Sequence, residues 1–334
     1  MSLPRASLSA PAAQAGLTLI ELMVSIAIGL VISLAAALTY LNTADAGRVA
    51  EATGRMNEDA QAALIMLTQQ LRMAGSNPIQ PDRAPNSRQN PLTNPFAFRG
   101  CDSTFTDVRT ATSTAALTCA GGTGTSSISV AYEGDRFNTV ATSTGAATDC
   151  LGSAVPTTSA SITNSSSISS TVTVAEVENR FFIGTSTGIV SPSLYCKGNA
   201  ANTTAQPLVE NIEDMQILYG LDNPGMPNTY GSINPGATTT NAILGYMTAA
   251  QLLADTNTIN GTLPGFSPTY TLAGLTEVRR WAAVKSVRVC VLVRSAAPVF
   301  ETPARYVDCQ GTVVLPTDRR MRRAYTTTLL LRNR

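Results

Sequence analysis

The sequence predicts an α+β protein: a long amino-terminal helix, from about residue 17 to 74, packed on antiparallel β-sheet of an enlarged carboxyl-terminal head. Three observations predict it. An apolar run opens at Gly16 and reaches about Leu41. A stripe of apolar residues at helical spacing follows directly. Beyond Gly100 the chain breaks into short alternating runs separated by Ser, Thr, Gly and Asn, which is how antiparallel strands read.

The apolar run is long enough to span a bilayer, which takes about 20 residues. It holds one acid, Glu21, and from Leu22 to Ala44 there is no further Asp, Glu, Lys or Arg. A carboxylate inside hydrocarbon costs about 2.5–3.5 kcal/mol on insertion scales, so Glu21 calls for a partner charge. The order of elements is also unusual. A secretory signal puts its small-residue cleavage site after the apolar stretch. Here Ala12, Ala13, Ala15 and Gly16 precede it, and the leader before Gly16 holds one charged side chain, Arg5. A cut after Gly16 removes a short leader and leaves Glu21 close to the new terminal amine.

Past the span, Met56, Ala60, Ala63, Leu64, Leu67 and Leu71 recur three and four residues apart, with Arg55, Glu58, Asp59, Gln61, Gln69 and Arg72 on other faces. Gly75 and Pro78 are expected to end the helix, and Gly47 and Gly54 to loosen it. The expected organisation is a leader over 1–16, a membrane or filament-core helix over 17–44, its amphipathic continuation over 45–75, and a β-rich head over 76–334.

Composition narrows the function classes. The 334 residues carry 23 basic and 22 acidic side chains, so no global field marks a nucleic-acid binder. Histidine is absent, which removes the commonest general base and metal ligand. No enzyme, cofactor or metal is expected. The six cysteines, Cys101, Cys119, Cys150, Cys196, Cys290 and Cys309, have no CxxC spacing, and their even number fits disulfides in an oxidising compartment. Many connectivities are open; pairing in sequence order, Cys101–Cys119, Cys150–Cys196 and Cys290–Cys309, is the expectation.

In the head, 76–100 reads as an irregular, Pro-rich connection, and the Ser/Thr-rich tracts 110–127 and 142–173 as loops, edge strands or surface decoration. Strands are expected over 127–132, 170–175, 180–183, 215–221, 284–294 and 323–334, with a turn or short helix feeding the one at Met215. The run Asp318-Arg319-Arg320-Met321-Arg322-Arg323 is basic enough to touch phosphates but lacks an aromatic ladder; a hairpin or an interface with an acidic neighbour is the expectation. Asp222-Asn223-Pro224-Gly225 reads as a turn rather than a Ca²⁺ loop. Trp281 reads as a core or rim anchor rather than a ligand platform. Glu213 and Asp214 imitate a catalytic pair, yet adjacent acids in a strand face opposite ways.

The amino terminus resembles the class III signal of type IV pilins and pseudopilins: Gly16 as the cut site of a prepilin peptidase, Leu17 as the new, N-methylated first residue (usually Phe), and Glu21 as the acid that sets helix register against a neighbour's ammonium. Three later blocks are similar to the PilW family of minor type IV pilins. They are Leu208-Val209-Glu210-Asn211-Ile212-Glu213-Asp214-Met215-Gln216-Ile217-Leu218-Tyr219-Gly220, Val287-Arg288-Val289-Cys290-Val291-Leu292-Val293-Arg294-Ser295, and the terminal Tyr325-Thr326-Thr327-Thr328 with Leu331-Arg332-Asn333-Arg334. The resemblance implies a pilin-like fold and a minor pilin that primes pilus assembly and rides at the tip, supporting twitching, adhesion or DNA uptake. Implied partners are other minor pilins, the major pilin, the inner-membrane assembly platform, the prepilin peptidase and a tip adhesin, with the protein in the bacterial inner membrane, head in the periplasm, before assembly. The competing readings are a minor pseudopilin of type II secretion and a tip receptor for DNA or surfaces.

Overall fold

The computed structural model describes residues 18–76, 95–163, 169–186, 188–201, 204–222, 243–254 and 277–331. Two compact units result, Met1–Glu51 and Ala52–Arg334. Helix α1 (Leu19–Met73) is assigned through 55 residues and passes Gly47 and Gly54 without interruption.

In the first unit the apolar side chains from Leu19 to Tyr40 are exposed all round the helix, and the segment is long and apolar enough to cross a membrane. Its hydroxyls turn back on the helix. Thr39 Oγ1 donates to Ala35 O and Thr43 Oγ1 to Thr39 O, each at 2.8 Å, and Ser25 Oγ donates to Glu21 O. Internal satisfaction of polar groups is what an apolar solvent demands.

In the second unit the same helix has two faces. Met56, Ala60, Ala63, Leu67, Leu71 and Ala74 are buried, while Arg55, Glu58, Gln61, Gln69 and Arg72 are exposed. The helix stops at Gly75, whose φ of 69° suits a residue without Cβ. There Gly75 N donates to Ala131 O at 2.9 Å, so the end of the helix is bonded to the sheet.

The first sheet contains β1 (Phe98–Cys101), β2 (Ser127–Gly134), β3 (Thr157–Thr163), β4 (Ser169–Ser186), β5 (Ile189–Gly198) and β6 (Gln206–Glu210). Its order is β1-β2-β4-β5-β6, all antiparallel, with β3 paired to the start of β4. The second sheet draws on β7 (Ile212–Asp222), β8 (Ile243–Met247) and β9 (Val284–Arg294). A small hairpin, β10 (Tyr306–Val307) and β11 (Val313–Val314), precedes the last strand, β12 (Arg322–Leu330). The second sheet runs β12-β9-β7-β8. Short helices α2 (Ala249–Leu253) and α3 (Glu277–Ala282) flank it.

Both sheets share one core with α1. Phe98, Ile128, Val130, Val177 and Phe181 from the first sheet and Val287, Val289, Val291 and Val293 from the second join the helix stripe. The period of two along β9 buries the valines and leaves Arg288 exposed. Asn179 Nδ2 donates to Gln70 Oε1 at 2.8 Å and Tyr325 Oη to Asn57 Oδ1 at 2.6 Å, one bond from each sheet to the helix. Trp281 is buried and stacks edge-on to Tyr219 and Phe98, at 4.9 and 5.5 Å. Gly100 makes room for this group: a Cβ there would fall 1.8 Å from the Tyr219 hydroxyl. A smaller cluster, including Phe105, Val108, Leu117, Phe182 and Tyr195, lies apart from the main core.

Several expectations need correction. Of the turn or short helix expected before Met215 the structure has the turn, and the strand starts earlier: β6 runs to Glu210, one residue in the left-handed region (Asn211, φ 63°) turns the corner, and β7 begins at Ile212. The strands expected over 170–175 and 180–183 are one 18-residue strand, because Glu176, Glu178 and Arg180 are buried and bonded rather than solvated. Phe98–Cys101, expected to be irregular, pairs with β2. The last strand begins at Arg322 and ends at Leu330. Pro78 and 223–225 lie outside the described residues.

Leu67 is 1% exposed at the centre of the helix–sheet contact. Leu67→Ala should lower unfolding stability by about 2–5 kcal/mol, whereas the exposed Gln69→Ala should change it by less than about 0.5 kcal/mol. Urea denaturation of the full chain in detergent, followed by tryptophan fluorescence, measures both.

Candidate functional site

The described helix starts with a reciprocal cap. Thr18 N and Thr18 Oγ1 donate to Glu21 Oε2 at 2.9 and 3.0 Å, and Glu21 N donates to Thr18 Oγ1 at 3.3 Å. This is a capping box, in which two otherwise unpaired helix-start amides are satisfied by side chains. The Thr-x-x-Glu spacing was visible in the sequence, but Glu21 was read there only as a charge awaiting a partner. An open groove of about 280 Å³ lies along the same helix face, lined by Ile20, Glu21, Val24, Ser25 and Ile28. Gly16 and Leu17, the expected cut site and methylated residue, lie outside the described residues.

The structure joins Cys101 to Cys119, Cys150 to Cys196 and Cys290 to Cys309, with Cα separations of 5.6, 6.5 and 5.7 Å, and leaves no free cysteine. Cys290 lies on β9 and Cys309 in the β10–β11 turn, so the third bond staples that hairpin to the second sheet. Closing a loop of this length contributes about 3 kcal/mol in the chain-entropy account.

Within the basic run at 318–323, Arg320 and Arg322 are committed to the fold, while Arg319 and Arg323 are exposed. Arg322 Nε and Nη2 donate to the two oxygens of Glu213 at 2.5 and 3.0 Å, while Nη1 and Nη2 donate to Asp318 at 2.5 and 3.0 Å. Tyr306 stacks on its guanidinium at 5.5 Å. Arg320 Nη1 donates to Ser295 O and Ala296 O, and Arg323 lies over the Tyr325 ring at 5.6 Å. Glu213 reaches Arg322 because it occupies a bulge: Ile212 faces Val293 and Asp214 faces Leu292, so Glu213 is the extra residue. The two acids do not form a pair; Asp214 binds Gln216 Nε2 at 3.1 Å.

Other charged groups serve the head in the same way. Arg180 binds Val108 O and Ala111 O at 3.3 and 2.7 Å. Glu178 Oε2 accepts from Thr114 N at 2.6 Å. Burial raises the Asp59 carboxyl above its ordinary value, opposed by a hydrogen bond from Asn211 and helped by Glu58 and Glu210. Among the described residues no group of three or more His, Cys, Asp or Glu could hold a metal ion.

The hydrogen bond from Arg322 holds the Asp318 carboxyl down at about 2, against an ordinary 3.8. A depressed carboxyl contributes stability that is complete above the unfolded value and is lost as pH falls through the folded one. Carboxyl ¹³C NMR should therefore show Asp318 titrating near pH 2 in the native protein, and Arg322→Ala should move its midpoint up toward 4.

Residues 180–333 match the family of type IV pilus-assembly protein W, and residues 11–37 match the prokaryotic N-terminal methylation motif. The first match takes in the end of β4, all of the second sheet, the Glu213–Arg322–Asp318 network and the Cys290–Cys309 staple. The second takes in Gly16, Leu17 and the Thr18–Glu21 cap. Neither a curated protein nor a solved structure matches the chain. The methylation motif and the apolar helix fit a pilin anchored in the inner membrane. The chain is thus prepilin-like at its amino terminus and similar to type IV pilus-assembly protein W over 180–333, which supports a pilin role in type IV pilus assembly, among pilus-machinery partners.

Proposed function

We propose that this protein is a minor pilin that primes type IV pilus assembly and is carried at the fibre tip, acting by packing rather than by catalysis. The observation that carries the reading is α1 itself. Over Leu19–Tyr40 it is apolar on every side, with an acid only in its first turn; over Met56–Ala74 it is a structural member of the head's core. A tether for an enzyme has no need to be part of the catalytic domain's core, whereas a subunit withdrawn from a membrane into a fibre transmits every displacement through such a rod.

In this mechanism the leader is removed after Gly16 and the amine of Leu17 is methylated. The helix holds the protein in the inner membrane with the head outside the cytoplasm. Glu21, capped by Thr18 through one oxygen, pairs with the terminal ammonium of an adjoining subunit, converting a membrane penalty into a register contact. The head then packs against other minor pilins, and the complex seeds the major pilin. Three disulfides support a head matured in an oxidising compartment.

The test is made in cells. Mass spectrometry should find a mature chain beginning with methylated Leu17, and Gly16→Asp should retain the leader. Glu21→Ala should leave cleavage and total protein unchanged while lowering incorporation into sheared pili by about tenfold. Deletion should abolish surface pili and spare enzyme secretion; the reverse pattern would assign the protein to type II secretion.

A further inference from the structure

We propose that β12 is a strand-accepting edge: it takes up an extended segment of a partner protein, uncharged at its centre and acidic at its ends, as an added strand of the second sheet. The inference rests on the fold of the head and not on the pilus reading.

The pairing pattern defines which main-chain groups are open. Ser295 N donates to Met321 O and Leu331 N to Lys285 O, each at 2.8 Å. Those bonds join directly opposed residues of the β12–β9 register. Bonded pairs in an antiparallel ladder recur every second residue, so Arg323, Tyr325, Thr327 and Leu329 turn their N–H and C=O to β9. Ala324, Thr326, Thr328 and Leu330 turn theirs away. The sheet order ends at β12, and among the described residues no hydrogen bond reaches these outward main-chain groups. Thr326, Thr328 and Leu330 are exposed, Leu330 by 62%.

Protein edges are ordinarily guarded by brevity, charge or proline. β1 has four residues and β8 five, and β6 has five with Pro207 and Glu210 among them. β3, the other long edge, is built of Ser, Thr and Ala with one Ile. β12 is nine residues long, and from Ala324 to Leu331 it reads Ala-Tyr-Thr-Thr-Thr-Leu-Leu-Leu, with no charge, Gly or Pro. Its charges stand only at its start, Arg322 and Arg323, and the rest of the strand carries none of these guards.

Charge selects the occupant. A second copy paired antiparallel about Thr327 would set Thr326 against Thr328 and Ala324 against Leu330. The same register would set the exposed Arg323 of each copy opposite Leu331 of the other, with no carboxylate to meet either charge. Exposed Arg323 on β12 and exposed Arg288, whose Nε donates to Thr328 Oγ1 at 3.4 Å, bracket the uncharged centre with positive charge. An added strand with carboxylates at its ends complements that arrangement, and main-chain bonds supply the affinity.

The probe is a synthetic peptide of alternating Val and Thr with Asp at each end, titrated into the full chain in detergent micelles while amide hydrogen exchange is read residue by residue. The N–H groups of Ala324, Thr326, Thr328 and Leu330 should exchange quickly in the free protein and slow at least tenfold with peptide. The same peptide N-methylated on its pairing edge should give no protection. Thr326→Pro, which removes only an outward N–H, should keep the melting temperature and weaken binding about tenfold. Absence of protection at those four amides, equal protection by the N-methylated peptide, or protection that grows with protein concentration alone would overturn the proposal; the last would make a second copy the occupant.

Discussion

The head depends on the burial of one helical stripe. Met56, Ala60, Ala63, Leu67, Leu71 and Ala74 face a core to which both sheets contribute, and three of the six are alanines. The valines of β9 and the aromatic rings of β1 and β7 belong to the same core and fill it with larger side chains. Close packing of this kind tolerates little change of volume. It also means that neither sheet has a finished hydrophobic face without the helix, so the head has no independent core that excludes α1.

Polar residues near the helix specify position where apolar burial cannot. Gln70 meets Asn179 of the first sheet, and Asn57 meets Tyr325 of the second. Each bond is worth about 1 kcal/mol net, small beside the burial around it. Their value lies in register: a helix slid by one turn would leave amide groups unpaired next to the core. The Arg322 network does the same for the hairpin region. Four carboxylate oxygens converge on one guanidinium, so Arg322, within a conspicuous basic run, is neutralised inside the fold.

Much of this was legible in the residues, and the division has physical causes. The apolar run with one acid, the helical stripe and the alternation of Val287 through Val293 are local patterns, which tertiary context reinforces. The strands that escaped notice are those whose partners lie far away in the chain. Phe98–Cys101 is four residues long and is a strand because β2 lies beside it. Glu176, Glu178 and Arg180 interrupt the apolar pattern of β4, and the loop carrying Val108, Ala111 and Thr114 supplies bonds that let Glu178 and Arg180 be buried. At the candidate site, the Thr-x-x-Glu spacing of Thr18 and Glu21 carries the cap as well as the charge, but inside an apolar run the lone acid is the stronger signal. The fate of the basic run depended on Glu213, more than a hundred residues earlier, being turned outward by a bulge.

The corner at Asn211 carries a consequence for how strain passes through the head. One residue separates β6, the margin of the first sheet, from β7, an interior strand of the second. A joint so short stores no slack, so displacement of either strand is felt at once by the other. The margin of one layer is thereby tied to the middle of the other, so strain applied at the edge of the first sheet is passed straight into the interior of the second.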